Sequence, residues 1–104
     1  MARGNFKERE MEIEGIEMLP AHMRDAVRLY VLNGIRGGRF LAAVMTNNFA
    51  DAVLRADDVN AAALRYWAMW LRDYAPTGCW GSPDRVAAWI KSGGLIGLGE
   101  GVGA

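Results

Sequence analysis

A chain of 104 residues suits one domain, and with 52% apolar residues it can bury a core without covalent staples. Twelve basic and twelve acidic residues leave no formal net charge, which argues against a nucleic-acid binder held by phosphate neutralisation but leaves room for a local basic patch. A single cysteine, Cys79, and a single histidine, His22, exclude an intramolecular disulfide and a structural zinc site built by this chain alone.

In chain order, residues 1–18 read as a flexible charged arm. Arg3, Lys7 and Arg9 alternate with Glu8, Glu10, Glu12, Glu14 and Glu17, with no sustained apolar period, so the arm is either mobile or ordered only against a partner. The opening segment has no signal-peptide core, and no apolar run approaches the length of a membrane span. The expectation is a soluble, cytoplasmic protein with no membrane partner.

Residues 19–92 read as an all-α domain, a small bundle of about four helices. Pro20 suits the start of a first helix running to Asn33, with Met23, Ala26, Val27, Tyr30 and Gly34 on its buried stripe and Arg24, Asp25 and Arg28 facing water. Gly34 stops it as a left-handed C-terminal glycine would. A second helix begins near Gly38 or Arg39 and buries Leu41, Val44, Met45, Phe49, Ala52 and Val53. Asn47 and Asn48 interrupt it: either the helix carries through them or Asn48 caps a second segment. Asp57 and Asp58 supply the next cap, and a third helix runs from Asp58 to Tyr74, before Pro76.

That third helix is apolar nearly all round, with Val59, Ala63, Tyr66, Trp70 and Tyr74 on one face and Leu64, Trp67 and Leu71 extending it. It predicts a homo-oligomer, because such a helix has more surface to hide than one small bundle covers. A short last helix follows the loop at Cys79 and Trp80, with Ser82 as cap, Pro83 in the first turn and Gly93 or Gly94 at its end. Residues 93–104 form a glycine-rich tail, predicted to be disordered after about Leu95.

The stretch GIRGGRFLAAVMTNN, residues 34–48, carries the chemistry. Gly37 and Gly38, flanked by Arg36 and Arg39 and followed by Phe40, could let a phosphate approach the backbone while the guanidiniums add charge-assisted hydrogen bonds. The plainer reading is a close helix–helix corner that needs glycine for positive φ. Asn47 and Asn48 could read a base or ribose edge, or could serve as a cap or an interhelical hydrogen bond. On one continuous helix, Arg39 and Asn47 would lie about 12 Å apart at ~1.5 Å rise per residue, a span fit for a phosphate at one end and a base at the other. Trp80, in a glycine-flanked loop, could stack on a base or anchor the loop to the bundle. No catalytic set is suggested: His22 has no partner legible in sequence, and Asp57 and Asp58 sit where a cap is needed. The chain calls for no metal and no cofactor.

Three segments, LPAHMRDAVRLYVLNGI, GGRFLAAVMTNNFADAVLRAD and CWGSPDRVAAWI, together resemble a family of small proteins of tailed phages and prophages. That family pairs a GGFLxAVLxN segment with a closing CxGSPEKVxAWL, and the resemblance covers Leu19 to Ile90. Some small phage proteins of this general kind are anti-CBASS sponges that bind cyclic-nucleotide alarm signals. The resemblance thus implies a non-catalytic counter-defence protein that sequesters a small anionic nucleotide. One departure matters: members tend to have proline near Arg36 and an uncharged residue at Arg39, which puts a family-wide role for the two arginines in doubt. The alternative is an inhibitor or regulator acting on a host protein through the charged arm and an apolar patch. A DNA-binding regulator is a weaker third reading, because the second helix is too apolar on the side that would read bases.

Overall fold

The computed structural model describes residues 12–103, with side chains described for 12–99. Among the described residues the regular structure is entirely helical. Two 3-10 turns, Ile16–Met18 and Ala21–Met23, lead into α1 (Arg24–Asn33). There follow α2 (Arg39–Met45), α3 (Phe49–Arg55), α4 (Asp58–Ala62), α5 (Leu64–Asp73), α6 (Pro83–Ser92) and α7 (Gly94–Gly103). The all-α class stands; the second expected region takes its two-segment alternative, with Asn48 as the cap, and the third expected helix is broken in two.

The breaks have local causes. Asn47 takes a left-handed conformation, φ 64°, which an α-helix cannot continue through. Asn48 then caps α3, its side-chain oxygen accepting from the Asp51 N–H at 3.2 Å. Asp57 caps α4 by accepting from the Asn60 N–H at 2.7 Å. The chain then opens at Ala63 (φ −104°, ψ 9°) before α5 begins. Gly34 ends α1 in the left-handed region, and Ser82 with Pro83 starts α6, both as the sequence predicts.

The core is built on large aromatic side chains whose polar atoms are all satisfied. Tyr30 donates its hydroxyl to the Cys79 carbonyl at 2.6 Å, and the Trp89 indole donates to the Tyr30 carbonyl at 3.0 Å. Together these contacts bind α1, the 74–82 loop and α6. The Trp67 indole donates to Asn60 Oδ1 at 3.2 Å, and Phe40 meets the Trp67 ring edge-on with centroids 5.4 Å apart. Such aromatic pairs contribute about 0.5–1.5 kcal/mol beyond the area they bury.

The third-helix region is hidden only in part by its own chain, since Val59, Tyr66 and Tyr74 stay exposed. Trp67, Trp70 and Leu71 are buried within one chain. Trp70 is covered by the segment before α1, donating its indole N–H to the Glu14 carbonyl at 3.0 Å. The arm expected over residues 1–18 is accordingly folded from Ile13 onward: Ile13, Ile16 and Leu19 belong to the core. Gly15, at φ 76°, lies so close to the Tyr74 ring that a β-carbon there would collide with it. Residues 1–11 of the expected arm lie outside the described residues.

The glycine-rich end is helical rather than disordered, a second correction. At φ 72°, Gly94 turns the chain between α6 and α7, and Leu95 and Ile96 pack on the core. Gly94 lies against Gly34 so tightly that a β-carbon on it would sit 2.6 Å from the Gly34 nitrogen. The missing side chains, read in sequence as a source of flexibility, are what allow α7 to dock on the end of α1.

A candidate anion-binding groove beside an apolar slot

Helices α2 and α3 form a tight hairpin, and a recess opens on each side of it. The first is an open groove of about 290 Å³ lined by Arg36, Arg39, Ala42, Thr46, Asp51 and Arg55, with Ala43 at its edge. Arg36 precedes α2, Arg39 opens it, and Asp51 and Arg55 come from α3 where it folds back. Arg55 Nε bonds Asp51 Oδ2 at 3.0 Å, so among the described residues one of three guanidiniums is matched by the groove's single carboxylate. Among the described residues neither Arg36 nor Arg39 has an ion-pair partner, and both are exposed. Thr46 donates its hydroxyl back to the Ala42 carbonyl at 2.8 Å, leaving its oxygen as an acceptor.

The second recess is a slot of about 130 Å³ with an apolar wall that includes Val44, Ala52, Leu64, Trp67 and Ala68, with Phe49 at its rim. Asn47 and Asn48 line this slot and not the arginine groove. The arginines and the asparagines thus share neither of these two recesses, and the continuous helix expected to span them is interrupted. The helix stops at Met45, and the left-handed Asn47 turns the asparagine pair to the other side of the hairpin. Both asparagines are exposed, and Asn48 is occupied as the cap of α3.

The remaining predicted site residues sort as follows. Gly37 faces Leu41, whose side chain a β-carbon at Gly37 would meet at 2.6 Å. Gly38 has open space around it and an extended backbone (φ −70°, ψ −177°), so the positive φ of this corner belongs to Gly34 instead. Phe40 is buried against Trp67 and lines neither recess. Trp80 is half-buried against the core and lines neither recess. Its loop is tied to the end of α2 by the Gly81 N–H, which donates to the Met45 carbonyl at 2.8 Å.

Sequence reasoning missed Asp51 and Arg55. Their i, i+4 spacing was visible as a helical ion pair, but nothing local said that α3 would fold back and add them to the arginines before it. It also missed a partner for His22. Nε2 of His22 lies 2.9 Å from Asp57 Oδ2, joining the turn before α1 to the cap of α4. The Asn60 N–H bond, and then His22, hold the Asp57 carboxyl below the usual carboxylate range. Burial pushes the Cys79 thiol up to about 12, so it is held as an unreactive thiol.

Among the described residues, no three His, Cys, Asp or Glu side chains gather where they could hold a metal ion, and no helix is long and apolar enough to cross a membrane. Compared with protein families, with curated proteins and with solved structures, the chain matches none.

Proposed function

We propose that this chain is a non-catalytic binder that sequesters a small anionic nucleotide, with the arginine groove as the site that holds its phosphate. One observation carries the reading: among the described residues, three guanidiniums and a single carboxylate border one open groove. Charge-assisted and bidentate hydrogen bonds from arginine suit phosphate oxygens better than any neutral surface does. The resemblance to small phage proteins supplies the setting, a cyclic-nucleotide immune signal bound in the host cytoplasm in defence of a phage. At about 290 Å³ the groove sits at the lower end of the range for ligand pockets, ~300–1,000 Å³, enough for a phosphate and its sugar. A larger ligand would extend beyond one copy, in keeping with the homo-oligomer that this reading includes.

The test is retention. Purified protein is incubated with cyclic di- and trinucleotides, separated from free ligand and denatured, and the released material is analysed. Ligand that returns intact supports sequestration. A changed product would make the protein an enzyme, and no retention would remove the nucleotide reading.

A second reading, an inhibitor acting on a host protein, is favoured by the exposed side chains of Phe49 and Leu54 on α3. DNA recognition is disfavoured by the hairpin itself. Helix α2 is only seven residues long, and Phe40, Leu41, Ala43, Val44 and Met45 are buried, leaving no free face for a major groove.

A further inference from the structure

We infer that Asp51 sets the charge the arginine groove accepts, biasing it toward phosphodiesters, with one charge per phosphate, and against phosphomonoesters, with two. The inference rests on the proposed phosphate site and narrows its ligand class. Among the described residues Asp51 is the one carboxylate that lines the groove, beside Arg36, Arg39 and Arg55. Local contacts fix it there. Asp51 stands in the first turn of α3, and its backbone N–H donates to the Asn48 cap at 3.2 Å. One turn on, Arg55 Nε donates to both of its oxygens, at 3.1 and 3.0 Å. The side chain is half-buried, so the carboxylate is held at the groove wall and does not swing free in water. The unpaired N–H groups of a first helical turn favour a negative charge at that position as well.

The consequence follows from Coulomb's law. Three guanidiniums alone attract any phosphate, and the second charge of a monoester would only strengthen the hold. A fixed carboxylate repels in proportion to the ligand's charge, so it costs a dianion twice the energy that it costs a monoanion. Twice the energy is the square of the fold-change in affinity. One unit charge a few ångströms away across water alters the binding of a monoanion by about three- to fivefold, and so that of a dianion by about ten- to twenty-five-fold. Cyclic nucleotides contain only phosphodiesters, whereas open nucleotides end in a monoester. Asp51 is therefore the part of the groove that tells a closed ring from an open chain by charge.

The test is calorimetric titration of the full chain at low salt, where screening is weakest, with two forms of one nucleotide. Cyclic adenosine monophosphate carries one charge. Adenosine 5′-monophosphate carries nearly two at about pH 7.5, since the second phosphate pKa is about 6. Wild type is compared with Asp51→Asn, which removes the charge, and with Asp51→Glu, which keeps it. The cap bond comes from the Asp51 backbone and the ion pair is exposed, so both variants should fold, with thermal unfolding as the check. Asp51→Ser serves as the neutral variant should Asp51→Asn not fold. The expected result is that the neutral variant binds the cyclic form about three- to fivefold more tightly and the open form by about the square of that factor, while Asp51→Glu keeps the wild-type ratio of the two. A ratio that the neutral variant leaves unmoved, with both nucleotides still bound, would overturn the inference and leave the phosphate site standing. A shift of the same size in Asp51→Glu would overturn it too, by assigning the effect to shape. Binding of neither nucleotide by wild type or variant would remove the phosphate site itself and the inference with it.

Discussion

Two regions of this molecule use polar chemistry in opposite ways. Around Tyr30, Trp67, Trp70 and Trp89, every indole and hydroxyl has a partner inside the chain: the Cys79, Glu14 and Tyr30 carbonyls and the Asn60 side chain. In the α2–α3 hairpin, Arg36 and Arg39 stand exposed at a groove whose only carboxylate among the described residues is paired with Arg55. Buried polar atoms must be matched, so the first region is committed to holding the fold. Exposed arginines cost little when left unmatched in water, so the second can carry function without weakening the structure. Alanine substitutions should separate the two regions by what they damage.

The largest effect belongs to the aromatic core. Trp67→Ala should destabilise the protein by about 3–5 kcal/mol, because it opens a cavity, strips Phe40 of its ring contact and leaves Asn60 without its donor. Urea unfolding measures this. A loss under about 1 kcal/mol, the level of an ordinary surface substitution, would erase the contrast between the two regions.

Arg39→Ala should do the reverse. If its guanidinium holds a phosphate, nucleotide binding weakens by about 1.5–3 kcal/mol in calorimetry while stability stays within about 0.5 kcal/mol of wild type. Unchanged affinity in Arg39→Ala and in Arg36→Ala would leave the groove an ordinary solvated surface.

Asn48→Ala sharpens the comparison inside the hairpin. It removes a cap, so stability should fall by about 1 kcal/mol. Because Asn48 faces the apolar slot and not the arginine groove, the affinity of the folded variant for nucleotide should be unchanged. Asn48→Asp, which keeps a capping oxygen, should restore stability. A loss of affinity in Asn48→Ala that Asn48→Asp does not restore would instead join the two recesses into one site.

The smallest effect is a dependence on pH. The Asp57 carboxyl is more acidic in the folded chain than in the unfolded one, chiefly through the Asn60 N–H. A depressed folded value means that its contribution is complete above the unfolded value of about 3.9 and is lost as pH falls through the lower folded value. Asp57→Ala should therefore unfold at a lower temperature than wild type at neutral pH, and the gap should close in acid. A gap that persists unchanged below the carboxylate range would assign the cap's contribution to something other than its charge.

The sequence reached furthest where a feature is local. Gly34 at the end of α1, Asp57 before α4 and Ser82 with Pro83 before α6 could be read because a cap depends on residues within one turn of itself. Asn48 was legible as one of two alternatives, and only the backbone of Asn47 chose between them. The apolar arc of α5 was legible as well, but not what covers it, since Glu14 lies 56 residues before Trp70 in the chain.

By itself, then, the sequence determined the helical class, several of the helix ends and the presence of two arginines in a glycine-rich turn, because these depend on short-range sterics and hydrogen bonding. Tertiary structure decided the rest. It folded α3 back to bring Arg55 and Asp51 to those arginines, sent Asn47 and Asn48 to the opposite recess, and docked the glycine-rich end on Gly34. The physical reason is one of range: a turn is decided by its own residues, whereas a groove is decided by whichever distant segments the burial of the core carries to its edge.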